Sequence, residues 1–176
     1  MAGKSYTGKG DGGQSSLGDG TRQPKSHAVF EAVGTLDELS CVVGEAKSGT
    51  GKEENELAQI QSDLFEAGAI AGGSWKEEKI TRFGGKLERL EGWIDEMDAQ
   101  LPPLKHFILP NGTPFASRLH FARAVCRRAE RGVQRLERDE YAPVLKYLNR
   151  LSSYFFARAR LENMKTGVKE SEWKGE

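Results

Sequence analysis

Between Phe115 and Leu136 apolar residues recur at alternating intervals of three and four, through Phe115, Leu119, Ala122, Cys126, Ala129, Val133 and Leu136. At about 100° per residue this spacing gathers them into one stripe of an α-helix and excludes a strand. Four other stretches share the period. From about residue 28 to 47, Leu36, Leu39, Val43 and Ala46 form one line and Phe30, Val33, Asp37 and Gly44 another, so this helix is contacted on two sides. From about 54 to 71 the line is Leu57, Ile60, Leu64 and Ala67. From about 77 to 98, Ile80, Phe83, Leu87, Leu90, Ile94 and Met97 keep heptad spacing until Pro102 and Pro103 stop the run. The last begins near Pro143 and passes Arg160 with Leu145, Leu148, Ser152, Phe155 and Ala159 inward. No stretch alternates with a strand period for long, and no internal repeat is present. The pattern predicts an all-α, five-helix up-down bundle, and 176 residues suffice for one core. The whole chain, 1–176, is read as one domain: a glycine-rich N-terminal loop over 1–25, the bundle over 28–164, and a flexible tail over 165–176.

Charge narrows the function. Lys+Arg and Asp+Glu both number 26, which argues against a general binder of nucleic acid or membrane surfaces, so any anion site is local. Cys41 and Cys126 both fall in apolar helical patterns and read as reduced core thiols, pointing to an intracellular protein. With no span-length apolar run and no secretory h-region, the expectation is a soluble protein.

The helix after Thr113-Pro114, a cap and first-turn proline, carries a local cationic feature. Arg123, Arg127, Glu130 and Arg131 fall on one shoulder of its apolar stripe, while Arg128 and Arg135 point away. Guanidinium forks gathered beside an apolar face suit a polyanion such as triphosphate. A solvated face with i,i+4 pairs is the alternative for such a helix. Asp37 stands in the second stripe of the first helix, where a carboxylate needs a cation or several donors, unless it is a rim residue favoured by the helix dipole. The N-terminal segment contains Gly8, Gly10 and Gly13 in G-x-G-x-x-G spacing, but without the preceding strand and following helix of a dinucleotide fold. It remains either a loop whose amides, with Ser15, Ser16 and Lys25, wrap phosphates, or a disordered tail.

Several ordered motifs together make the chain resemble the PduO-type ATP:corrinoid (cob(I)alamin) adenosyltransferases. They are Tyr6-Thr7 with Gly10-Asp11 and Gly13, Pro24-Lys25, Glu31 to Leu39, Ile60 to Phe65, Phe107-Ile108-Leu109-Pro110, Arg127 to Arg131, and Asn149 to Phe156. The wording Val29 to Gly34 and Ala124 to Arg127 is similar to the animal mitochondrial branch, and the compartment expected is a mitochondrial matrix or a bacterial cytoplasm. The resemblance implies a homotrimer with a site at each subunit interface, binding ATP, Mg²⁺ and cobalamin and transferring the 5′-deoxyadenosyl group to cobalt with release of triphosphate. It implies that Thr7, Gly8, Lys9, Gly10, Ser15, Ser16 and Lys25 order over ATP, with Arg127, Arg131, Glu130 and Asn149 completing the nucleotide site. Arg123 and Arg128 are counted with them as nucleotide-binding candidates. Catalytic roles fall on Arg127, on Asp37 as its ion-pair partner across the interface, and on Phe107, which crowds the lower face of the corrin. No residue is assigned as a protein ligand to a metal. A reductase, and possible delivery of product to an adenosylcobalamin-dependent mutase, are the implied partners, with no nucleic acid and no membrane.

Gly8 and Gly12 stand where the family commonly has a basic residue, Ser26 where it has aspartate, and Asn111 where it has glycine, so the loop carries fewer cations. A ferritin-like di-iron bundle is excluded because none of His27, His106 or His120 has a carboxylate three residues before it. His106 as a cobalt ligand, and a corrinoid carrier without catalysis, remain as other readings.

Overall fold

The computed structural model describes residues 6–49 and 55–175. Residues 1–5 of the glycine-rich segment lie outside the described residues, and from Tyr6 on it is a folded loop rather than a disordered tail. Strands β1 (Gln14–Ser16) and β2 (Arg22–Pro24) pair antiparallel, with Ser15 opposite Gln23, a short hairpin that no extended alternation announced. The helices are α1 (Ala28–Ser48), α2 (Asn55–Ala71), α3 (Glu77–Gly84), α4 (Lys86–Asp98), α5 (Pro114–Gln134) and α6 (Ala142–Lys165). The expected third helix is therefore two pieces. Adjacent Gly84 and Gly85 each weaken helix by about 1 kcal/mol relative to alanine, and the chain breaks there while Phe83 and Leu90 stay buried on either side. The helix starts follow the sequence: Thr113 Oγ1 accepts from the Ala116 amide at 3.0 Å with Pro114 behind it, and His27 caps α1 through the Val29 amide.

Contacts along the helices fix their directions. Glu45 meets Arg118 while Ala32 meets Gly132, so α1 and α5 run antiparallel. Cys126 bonds the Leu148 carbonyl and His120 lies against Phe156, so α5 and α6 do too. Phe83 packs on Tyr147 and Trp93 on Tyr154, so α3 and α4 run with α6. The α4–α5 connection consequently crosses over the C-terminal end of α6, which positions the site described below.

The core is aliphatic and aromatic, with Leu36, Leu39, Leu57, Ile60, Leu64, Leu119, Leu148 and Phe155 almost wholly enclosed. One carboxylate sits inside it. Asp63 has no exposed surface, accepts from Lys86 Nζ at 2.7 Å, Arg89 at 2.5 Å and the Tyr147 hydroxyl at 2.8 Å, and lies 3.1 Å from Gln59 Nε2. Burial and the Asp63 charge push the Tyr147 phenol well above its ordinary pKa, so it stays protonated and donates. Cys126 is buried as expected, but Cys41 is exposed, because its position on α1 faces away from both neighbouring helices. The stretch expected to be a flexible tail is paired: Ile108 bridges Glu172, and the Trp173 amide donates to the Phe107 carbonyl at 2.7 Å. Backbone donors and a buried arginine, invisible to a composition-based reading, hold it.

Candidate functional site

The long connection and the α5–α6 seam enclose a groove of roughly 900 Å³. Phe107 and Trp173, packed edge to face with ring centroids 6.5 Å apart, form one wall together, and Phe156, Ser152, Arg123 and Arg127 form its floor and side. Phe107 is 80% exposed and Trp173 56%, a large apolar surface left to water at the mouth of a groove. Arg123 lies over the Phe156 ring at 5.9 Å, and its buried Nε has no hydrogen-bond partner. His120, buried beneath against the edge of Phe156, has neither ring nitrogen satisfied. Burial first, then the Arg123 charge, lowers its pKa, so the imidazole is neutral there.

Of the sequence candidates, Phe107, Arg123 and Arg127 share this groove. Arg127 and Arg131 are exposed one turn apart, and neither has an ion-pair partner among the described residues. Glu130 accepts from Asn149 Nδ2 at 3.0 Å along the same seam, which holds the amide in a fixed orientation. Arg128 is different: it points to the α1 side and pairs with Glu38, as its place on the helical wheel requires.

The remaining candidates lie on another face. The hairpin is fixed by Arg22 Nη2 donating to the Lys9 carbonyl at 2.9 Å and by the Lys25 amide donating to Gly13 at 2.8 Å. The Lys9 amide turns back to Thr7 Oγ1, and Gly8 and Gly13 take positive φ. A Cβ added at Gly10 would stand 3.2 Å from Lys25 Nζ, so the ammonium hangs directly over the glycine turn. Amides from such a turn, with a lysine above and Ser15 and Ser16 beside them, suit phosphate oxygens. The hairpin docks on the end of α2 through the Gly18 amide and Gly72 carbonyl, 2.9 Å apart. Ser16, Leu17, Phe30, Val33, Asp37 and Phe65 line a second groove of about 400 Å³ here.

Asp37 is thus exposed within one chain, the rim placement rather than one buried in the bundle. Of the second stripe of α1, Phe30, Val33 and Gly44 are partly covered, Gly44 by Gln61 of α2, while Asp37 faces solvent on the side of Phe65, itself 69% exposed. Asp37 and Arg127 flank different seams, separated by the α1–α5 contact that the Arg128–Glu38 and Arg118–Glu45 pairs close. The buried aspartate is Asp63, within the Ile60 to Phe65 motif. Trp173 as a wall and Arg160 behind it were also missed, since nothing local in sequence links residues about 65 apart. His106 is exposed on the groove rim.

Residues 5–162 match a family model described as cobalamin adenosyltransferase. The human corrinoid adenosyltransferase MMAB is 48% identical over 181 residues, covering 95% of this chain and 72% of that protein. The Bacillus subtilis corrinoid adenosyltransferase is 42% identical, covering 97% and 92%. Among solved structures, a variant PduO-type ATP:corrinoid adenosyltransferase from Lactobacillus reuteri, complexed with cobalamin and ATP, superposes with a TM-score of 0.85 at 34% identity, covering 98% of this chain and 100% of that one.

Proposed function

Because the chain belongs to the cobalamin adenosyltransferase family, whose enzymes transfer an adenosyl group, we propose that it joins the 5′-deoxyadenosyl group of ATP to the cobalt of cob(I)alamin, or a related corrinoid, and releases triphosphate. The observation that carries this reading is the groove in which exposed Phe107 and Trp173 stand beside Arg123 and Arg127, cations without carboxylate partners among the described residues. An apolar macrocycle edge fits the aromatic wall, and a polyphosphate fits the arginines.

The chemistry follows from these surfaces. Phe107 cannot coordinate a metal, so an apolar ring against the lower corrin face disfavours the axially ligated form, and cob(II)alamin without that ligand accepts an electron more readily. In the transfer step the electron pair of cob(I)alamin forms the cobalt–carbon bond as the C5′–oxygen bond breaks in line, and that bond's electrons leave with triphosphate. Arg127 and Arg131 hold the growing negative charge, the Glu130-fixed Asn149 orients the nucleotide, and the Gly8–Gly13 turns with Thr7, Lys9, Ser15, Ser16 and Lys25 wrap the phosphates. Mg²⁺ would ride on the phosphates, supplying further charge neutralisation. No general acid or base is required.

Asp37 and the hairpin lie on one face and Arg127, Arg131 and Phe107 on another, which supports a site completed between copies of the chain in a homotrimer, with Asp37 meeting a neighbour's arginine. The proposed setting is a mitochondrial matrix or bacterial cytoplasm, with a reductase as electron donor and an adenosylcobalamin-dependent mutase as receiver of product. No described helix is long and apolar enough to cross a membrane.

The test is anaerobic: protein, ATP, Mg²⁺ and chemically reduced cobalamin are mixed, and the cobalt–carbon bond is followed by its absorption while triphosphate is measured. Equal yields of adenosylcobalamin and triphosphate are expected, from a particle of three chains by light scattering. Cobalamin binding without triphosphate would instead establish a carrier, and full activity in a monomer would dissolve the shared site.

A further inference from the structure

The connection that carries Phe107 crosses the end of α6 and is pinned at both of its own ends by residues of that helix. At its start Arg160 Nη2 donates to the Pro102 carbonyl at 2.8 Å. At its finish Asn163 donates to the Asn111 carbonyl and accepts from the Thr113 amide, both at 3.1 Å. Gly112 between them has φ +130° with the Asn163 amide packed against it, so no side chain fits there. Between the pins, Leu109 and Phe107 pair with Ser171 and Trp173 at 2.8 and 2.7 Å.

The same Arg160 also secures the second strand of this pairing. Its Nε donates to Glu170 at 2.8 Å and its Nη2 lies 3.4 Å from the other carboxylate oxygen. The arginine is nearly buried, and its guanidinium lies 5.9 Å from the Phe156 ring that floors the groove. One planar fork therefore ties the strand bearing Phe107, the strand bearing Trp173 and the aromatic floor beneath them. A lysine, a point charge on a flexible stem, cannot make the carbonyl and carboxylate bonds in one fixed plane.

We propose that Arg160 is a positioning residue that holds the paired Phe107–Trp173 wall in place over the Phe156 floor, and through it sets the grip on corrinoid as distinct from ATP. This rests on the reading of the groove as the corrinoid site. Arg160 touches neither the phosphate-binding hairpin nor Arg127 and Arg131, so its loss should act on one substrate.

The experiment compares wild type with Arg160→Met, Arg160→Lys and Glu170→Gln. Losing charge-assisted bonds should speed hydrogen exchange at the Leu109 and Trp173 amides together, by about tenfold in Arg160→Met, and raise the KM for cobalamin about tenfold while the KM for ATP stays within about twofold. The four-coordinate cob(II)alamin signal in electron paramagnetic resonance should fall in parallel. Arg160→Lys should recover only part of each effect. Glu170→Gln keeps the arginine and its Pro102 bond, so it carries the test if Arg160→Met does not fold, with the same changes at smaller size. A merely structural role predicts equal rises in both KM values or lower thermal stability alone, and either result, or unaltered exchange at Leu109 and Trp173, overturns the proposal. The exchange arm is read without ligand: a wild type that takes up no cobalamin overturns the corrinoid reading, whereas a wild type that binds it beside unaltered variants overturns only the role given to Arg160.

Discussion

Two charged clusters of this bundle invite comparison, the one around Asp63 and the one along Arg123, Arg127 and Arg131. Around Asp63 both carboxylate oxygens are answered: two cations, a tyrosine hydroxyl and an amide converge on one carboxylate with no exposed surface, and only Arg89 Nε is left without a partner among the described residues. Along α5 Arg123 and Arg127 line an apolar groove with Arg131 one turn beyond, and no carboxylate pairs with any of the three among the described residues. Burial alone would have pointed to the first as the site. Completion of the hydrogen bonding is the better guide, because a satisfied cluster has nothing left to offer a ligand, whereas unanswered donors beside apolar surface are stable only where water, or a ligand, supplies the acceptors.

The sharpest way to break this contrast is to remove one partner from each cluster. Asp63→Ala leaves Arg89 without its carboxylate and Lys86 with only Glu66, 3.0 Å away, where breaking a fully buried pair costs about 3–5 kcal/mol. Lys86 keeps 16% of its side chain exposed and Arg89 37%, so water relieves part of that and about 3 kcal/mol is expected. Thermal unfolding should fall by roughly 10 °C, with activity per folded molecule retained. Loss of activity without loss of stability would put Asp63 in the chemistry and erase the distinction.

Arg127→Ala and Arg131→Ala should do the reverse. Each removes a charged donor from a leaving group whose charge grows in the transition state, and about 2–4 kcal/mol of barrier is expected per donor. Being exposed and without ion pairs among the described residues, Arg127 and Arg131 should leave the melting temperature almost unchanged. Steady-state kinetics beside calorimetry checks both halves, and wild-type turnover in folded variants would remove the phosphate role.

How far the sequence reaches also differs between these regions. The helix period located the core because burial of one stripe is a local, repeated constraint, and the Arg123 to Arg131 shoulder follows from the same wheel. Asp37 was left between a covered and a rim position for a physical reason: periodicity tells that a stripe can be covered, not whether the same chain covers it. Asp63 was passed over because its partners Lys86, Arg89 and Tyr147 come from two other helices, and no local pattern announces such a convergence. The paired terminus was read as flexible because its bonds are backbone bonds to a loop some 60 residues earlier, which composition does not encode. The motif resemblance reached Phe107, but Trp173 packed against it appears only once the chain is folded.

A smaller effect sharpens the groove's apolar half. If Phe107 acts on reduction by crowding the lower corrin face, Phe107→Ala should slow turnover from cob(II)alamin with a mild reductant about tenfold more than turnover from preformed cob(I)alamin, a difference of about 1.4 kcal/mol in barrier. A ring that only supports the loop would give equal fractional losses under both reductants.

The smallest expected effect concerns His120, the group beneath the groove whose nitrogens are as unanswered as the Asp63 oxygens are satisfied. Burial and the Arg123 charge depress its folded pKa below the value of about 6.5 it takes when unfolded, while Glu170 opposes them more weakly. The unfolded chain therefore binds the proton more readily. The stabilisation from keeping this imidazole neutral is present above pH 6.5 or so and is lost as the pH falls through the unfolded pKa, with a slope of at most about 1.4 kcal/mol per pH unit for one proton. His27 and His106 are exposed and face no such burial. Urea unfolding at a series of pH values between about 7.5 and 5.5 should accordingly show a decline in wild type that flattens in His120→Gln, whatever that variant's absolute stability. Identical slopes would mean that water reaches the His120 nitrogens, and the floor of the groove would then be wet on the side where Phe156 now seals it.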